Sequence, residues 1–137
     1  TSALAKCYIR EPRSAEVLDW AEQRQGATVA ALALVEFRCM LARRRRAGEI
    51  DRALERSALA QFDSHVRNNA WRIHQGTLGD YAEARDLFET LPGLPLRTPD
   101  ALHLAAARGA GAAEFATSDK TQAKAARALG FTVFDFS

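Results

Sequence analysis

Cysteine is scarce: Cys7 and Cys39 are the only two in 137 residues. They show no C-x-x-C spacing, so neither a disulfide framework nor a structural zinc site is expected, and both read as buried thiols. Long apolar runs are missing as well. None approaches the roughly 18 residues that span a bilayer, and no basic-then-apolar leader precedes the first helical pattern, so a soluble, cytoplasmic protein with no membrane partner is the default expectation. Charge of one sign is not in excess either. Nineteen Lys and Arg stand against 17 Asp and Glu, a formal charge of +2, which is too small by itself to mark a nucleic-acid binder. The phosphate-cradling G-x-x-x-x-G-K-[ST], the dinucleotide G-x-G-x-x-G and the esterase G-x-S-x-G are all absent, and readings built on them fall away. There is no internal repeat, linker or low-complexity segment. The chain opens "TSALAKCYIR" without an initiator methionine and enters helical pattern at once, so a segment upstream is expected to be missing.

What is present is a composition of 47% hydrophobic and 26% charged residues, that of one globular domain, residues 1–137, with a single core. Thr1 or Ser2 can cap a short helix through Tyr8, which Glu11-Pro12 stops. Ser14 is placed to cap "SAEVLDWAEQR", with Val17, Leu18 and Ala21 on one stripe and Gly26 just past its end. The β-rich "ATVAAL" precedes a helix ending near Gly48. Residues 51–67 set Leu54, Ala58, Leu59, Phe62 and Val66 at helical spacing. "AWRIH" reads as a strand and "GDYAEARDLFETL" as an amphipathic helix with Tyr81, Ala84, Phe88 and Leu91 on one side. "TPDALHLAAARGAG" and "KTQAKAARALG" read as helices, "EFATS" and "FTVFDF" as strands. Strands alternating with helices of this length give an α/β domain with a mainly parallel sheet.

Within "ALALVEFRCMLARRRR", Glu36 has Leu32, Ala33, Cys39 and Met40 one turn away, so its carboxylate falls on an apolar face. An unpaired buried acid loses several kcal/mol or takes a proton, so Glu36 requires a cation, either a metal or a distant arginine such as Arg10. Asp100 lies in the first turn of the helix entering "EFATS", and Asp119 just after that strand. In a parallel sheet, strand carboxyl ends and crossover-helix amino ends share one edge, so the three acids are expected to meet there. Asp100 and Asp119 also have plain structural readings. Thr98 can cap the "TPD" helix with Pro99 at its first position and Asp100 complementing the dipole, and Ser118 or Asp119 can cap the next helix.

Three clustered carboxylates repel unless a cation offsets them. Hard oxygen donors without His or Cys favour Mg²⁺ or Mn²⁺ over zinc, and such a site suits phosphodiester hydrolysis. His103, three residues after Asp100, reads as a core-facing histidine satisfied by that carboxylate, with a proton shuttle as the alternative. His65 and His74 show no spacing that indicates ligation. Arg43 to Arg46 form the one charge run, at a helix end where cations complement the dipole; a phosphate-contacting patch is the other reading.

"TSALAKCYIREP", "LVEFRCMLARR", "TPDALHLAAA" and "FATSDKTQAKAARALGF", in this order, resemble the PIN-domain ribonucleases, specifically the VapC-type toxins of toxin-antitoxin pairs. The resemblance covers essentially the whole chain. It implies an α/β/α sandwich with a mainly parallel central sheet and an Mg²⁺- or Mn²⁺-dependent endoribonuclease. It also implies a homodimer and a cognate antitoxin protein whose tail blocks the groove. The family's acids map onto Glu36, Asp100 and Asp119, which the resemblance makes the metal and catalytic set. Thr1 and Ser2 match the last two positions of the opening Asp-x-Ser motif, so Ser2 carries over as a polar residue of the site. The aspartate would directly precede Thr1, at the end of a first strand that this sequence lacks. A PIN-like nuclease of RNA processing or DNA cleavage, a catalytically silent PIN-like binding module, and an α/β interaction protein whose acids are caps and a salt bridge remain the rival readings.

Overall fold

A computed structural model describes residues 1–24 and 27–137. Gly26, expected just past the second helix, lies outside the described residues. The elements run α1 (Ser2–Ala5), α2 (Ser14–Glu22), β1 (Ala27–Ala30), α3 (Leu32–Arg46), α4 (Arg52–Arg67), β2 (Trp71–His74), α5 (Leu78–Thr90), α6 (Thr98–Gly109), β3 (Glu114–Thr117), α7 (Lys120–Ala128) and β4 (Thr132–Asp135). Helices and parallel strands alternate as the periodicity predicts, giving an α/β fold.

Short polar side chains set several helix starts by accepting otherwise unpaired backbone N–H groups. Asp51 accepts from Leu54 N at 2.7 Å, and Thr77 and Asp80 form a reciprocal capping box at the start of α5. Two expected caps are displaced. Ser14 does not cap α2; its hydroxyl accepts from Glu11 N at 3.0 Å and ties back to Ile9 O. Arg13, in the left-handed region at φ 68°, takes the cap position instead. Thr98 lies inside α6, whose cap is Arg97. The first helix is shorter than expected, with a turn over Lys6–Tyr8.

β1 pairs in parallel with β2, from Ala27 opposite Trp71 to Ala30 opposite His74. β3 pairs in parallel with β4, from Glu114 opposite Thr132 to Thr117 opposite Asp135. The strands therefore form two parallel pairs instead of one continuous sheet. Between the pairs lies a groove of about 430 Å³, lined on one side by Ala27–Ala30 and on the other by Glu114, Phe115 and Ala116. One edge of β1 and one edge of β3 thus carry no ladder partner among the described strands.

The core has two main parts. An aromatic cluster joins Leu4, Tyr8, Phe37, Leu41, Phe62 and Trp71, with the Phe37 and Phe62 rings 4.7 Å apart. Burying each such large apolar side chain contributes about 1.5–3 kcal/mol. The second part is rich in alanine, with Ala84, Leu87, Ala101, Leu104, Ala105 and Ala125 letting α5, α6 and α7 approach closely. That close approach reverses part of the stripe expected on α5. Asp80, Ala84 and Leu87 face inward, whereas Tyr81 and Phe88 are 58% and 44% exposed. Leu18, Leu54 and Cys39 are likewise exposed, so only Cys7 is a partly buried thiol, and burial pushes its pKa up to about 11. No described helix is long and apolar enough to cross a membrane.

Candidate active site

Glu36 leaves α3 one residue before Phe37. Ala33, Phe37 and Leu41 form the buried stripe of that helix, and Glu36 sits half-buried at its margin. The expected arginine is not its partner: Arg10 is exposed, and Glu36 Oε2 instead meets His103 Nε2 at 2.6 Å and accepts the Thr1 hydroxyl. His103 Nε2 also lies 3.2 Å from Thr1 Oγ1. His103 therefore serves Glu36 and not Asp100, because Asp100 is already engaged in its own helix turn. Burial alone pushes the Glu36 carboxyl up, but hydrogen bonds from His103 and the Thr1 hydroxyl outweigh it and bring it down to about 2. A carboxylate held that low stays ionised. It is better suited to holding a cation than to accepting a proton.

Asp100 is buried in the first turn of α6. Its Oδ2 accepts Arg97 N at 3.0 Å and Arg97 Nε at 3.1 Å, and its Oδ1 lies 3.5 Å from Arg97 Nη2. Asp119 caps α7 by accepting Gln122 N at 2.9 Å, and its second oxygen lies 3.5 Å from the same Arg97 Nη2. The local structural roles expected of Asp100 and Asp119 are thus both filled, and each carboxylate still reaches outward to one guanidinium. Ser2 joins the start of α1 to the end of β3. Its hydroxyl accepts Ser118 N at 2.9 Å and lies 3.2 Å from Thr117 Oγ1. Thr117, 1% exposed, donates to Gln122 Oε1 at 2.6 Å and accepts Asp119 N, which fixes the loop carrying Asp119.

The three acids come from α3, α6 and the β3–α7 loop; Asp100 and Asp119 share the Arg97 guanidinium, while Glu36 is held by His103 and the Thr1 hydroxyl. The Arg97 guanidinium is raised first by its hydrogen bond to Asp100, with the charges of Asp100, Asp119 and Glu36 adding to it. Sequence reasoning missed Arg97 and Thr117. The available signals were a basic residue directly before "TPD" and a threonine ending the strand "EFAT".

The donor chemistry fits a hard cation: three carboxylates, no thiol, and a buried Ser118 hydroxyl, next to Asp119 in sequence, that has no hydrogen-bond partner. Among the described residues, however, no three His, Cys, Asp or Glu side chains stand close enough together to hold a metal ion. Their oxygens are met instead by the Arg97 guanidinium at Asp100 and Asp119, and by His103 and the Thr1 hydroxyl at Glu36. His65 and His74 serve elsewhere, bonding Tyr8 Oη at 2.7 Å and Asp80 Oδ2 at 2.8 Å. Arg44 and Arg45 of the charge run pair with Glu11 and Glu55, whose carboxylates are largely buried.

A comparison with curated proteins finds no match. The model of the PIN domain family, by contrast, matches residues 1–128, nearly the whole chain and every residue of the site just described, so the chain belongs to the PIN domain family.

Proposed function

We propose that this PIN-domain protein is a metal-dependent endoribonuclease, the toxin of a toxin-antitoxin pair. A PIN domain is a nuclease-type fold. What supports the finer reading is that Asp100 and Asp119, from two separate elements, share one guanidinium, that of Arg97, with the charge of Glu36 adding to its field. Glu36, Asp100 and Asp119 would hold Mg²⁺ or Mn²⁺, which supplies neutralisation of developing charge and a water of lowered pKa. Hydrolysis then forms a bond from the water oxygen to phosphorus and breaks one P–O bond, the leaving sugar oxygen taking up a proton. His103 and the Thr1 hydroxyl keep Glu36 ionised and aimed, and Ser2 fixes the β3–α7 loop through Thr117.

The test is RNA cleavage by the full-length protein in Mg²⁺, Mn²⁺ or EDTA, beside Glu36→Gln, Asp100→Asn and Asp119→Asn. Each variant is expected to lose about 100-fold or more in rate, as removal of one preorganised charge does elsewhere. Persistence of cleavage in EDTA would sink the reading. A catalytically silent binding module is the second reading, and the Arg97 guanidinium already bonded to Asp100 and Asp119 favours it; absence of both Mn²⁺ binding and cleavage would establish it.

Two further parts of the proposal concern assembly. The first strand expected before Thr1 belongs in the groove between β1 and β3, where two unpaired edges face it and where Thr1 lines one end. The homodimer and the antitoxin are proposed from the family resemblance. A basic side chain from the antitoxin tail would take the place that Arg97 fills at Asp100 and Asp119. Light scattering of the protein alone, and cleavage assayed at saturating antitoxin, test these two points; a monomer, or undiminished cleavage, would reject them.

A further inference from the structure

We infer that Arg97 is a substrate-positioning residue with two partners: the carboxylates of Asp100 and Asp119 when the site holds no metal, and a phosphate of the RNA when it does. This rests on the metal-dependent reading above. The backbone of Arg97 is fixed at the cap of α6 by the bond from its N–H to Asp100, while its side chain is 72% exposed. A pinned root with an exposed guanidinium is the arrangement that lets one side chain reach two anions without moving the helix. Its present bonds are weak enough to exchange: two of the three side-chain contacts, to Asp100 Oδ1 and Asp119 Oδ2, are 3.5 Å long, at the limit of hydrogen bonding.

Charge decides when the exchange happens. Without a dication, Arg97 is the cation that holds Asp100 and Asp119 together. A dication on the same carboxylates repels the guanidinium and removes its reason to stay. The planar fork of an arginine matches two phosphate oxygens as well as it matches a carboxylate, and the substrate brings phosphates to that spot. Other arginines nearby in sequence or space have acids of their own away from the site: Arg38 and Arg45 share Glu55, Arg108 pairs with Glu83 and Arg127 with Asp135.

The experiment compares wild type, Arg97→Gln, Arg97→Lys and a distant control, Arg108→Gln, as full-length proteins. Mn²⁺ affinity is read by electron paramagnetic resonance without RNA, and KM and kcat are measured on an RNA strand. Arg97→Gln is expected to bind Mn²⁺ about 2- to 5-fold more tightly, because a competing exposed ion pair is gone. Its KM for RNA should rise about tenfold or more, the usual loss for one hydrogen bond to a charged group. Arg97→Lys should restore the Mn²⁺ affinity of wild type but not the KM, since lysine keeps the charge and lacks the fork. Arg108→Gln should match wild type in both. Equal Mn²⁺ affinity in wild type and Arg97→Gln, or an unchanged KM, overturns the two-partner role while leaving the nuclease reading intact. A wild type that neither binds Mn²⁺ nor cleaves RNA overturns both, and thermal melts of each variant show whether a loss is merely unfolding.

Discussion

At the scale of single residues, the site is a set of acids whose local duties and outward reach can be separated by substitution. Asp119→Asn keeps a good helix cap, because asparagine caps as well as aspartate, so stability should hold while cleavage is lost. Asp119→Ala should lose both, with about 1 kcal/mol of stability gone in thermal or urea melts. Glu36→Gln behaves differently. Removing one of several clustered carboxylates by itself relieves repulsion. Against that, Glu36 is held by hydrogen bonds to His103 and the Thr1 hydroxyl, which the substitution weakens. Losing a charged hydrogen bond of this kind should lower stability by about 1.5–3 kcal/mol. The pH dependence has the matching sign. The Glu36 pKa is depressed in the folded state to about 2 from an ordinary 4.5, so its contribution is complete above about pH 4.5 and is lost as pH falls toward 2. Acid titration followed by circular dichroism should show that loss in wild type and not in Glu36→Gln.

At the scale of elements, the α5–α6 contact is the most demanding. A Cβ added at Gly109 would lie 2.0 Å from Asp80 Oδ1 and 3.3 Å from His74 Nε2. Asp80 cannot simply swing away, since it accepts Thr77 N at 2.6 Å and meets His74 at 2.8 Å. Gly109→Ala should therefore destabilise by about 1–3 kcal/mol, the typical penalty of overpacking, even though alanine is the better helix former. A melting temperature at or above that of wild type would show that α5 shifts freely on α6. The same contact explains why α5 turns Tyr81 and Phe88 outward: small side chains are needed where the two helices meet, and the inward face goes to Asp80, Ala84 and Leu87.

At the scale of the whole molecule, two parallel strand pairs leave one edge of β1 and one edge of β3 facing a common groove. Unpaired edges are ready templates for another strand, and the buried Trp20 Nε1, also on the groove's lining, has no hydrogen-bond partner. A strand joined to Thr1 would run parallel to β1 and β3 if it ends at the edge where Thr1 meets Glu36 and His103. In the full-length protein, the groove-facing amides of residues 27–30 and 114–116 should then be strongly protected from hydrogen exchange. Rapid exchange on both edges would reject the filled groove.

Read without a structure, the chain already determined its α/β class and the order of its helices and strands, because those follow from apolar period and from residue type close in sequence. Helix starts were legible where a short polar side chain does the capping, as at Asp119, and were displaced by a residue where backbone dihedrals decide, as at Arg13 and Arg97. The partners of the acids were beyond it. That His103 serves Glu36, that Arg97 spans Asp100 and Asp119, and that Ser2 anchors β3 depend on contacts across 67, 22 and 115 positions of chain. No local preference encodes such pairs. Only the packing of α3, α6 and α7 around the strand ends selects them, because charge and hydrogen bonding are settled by distance in space.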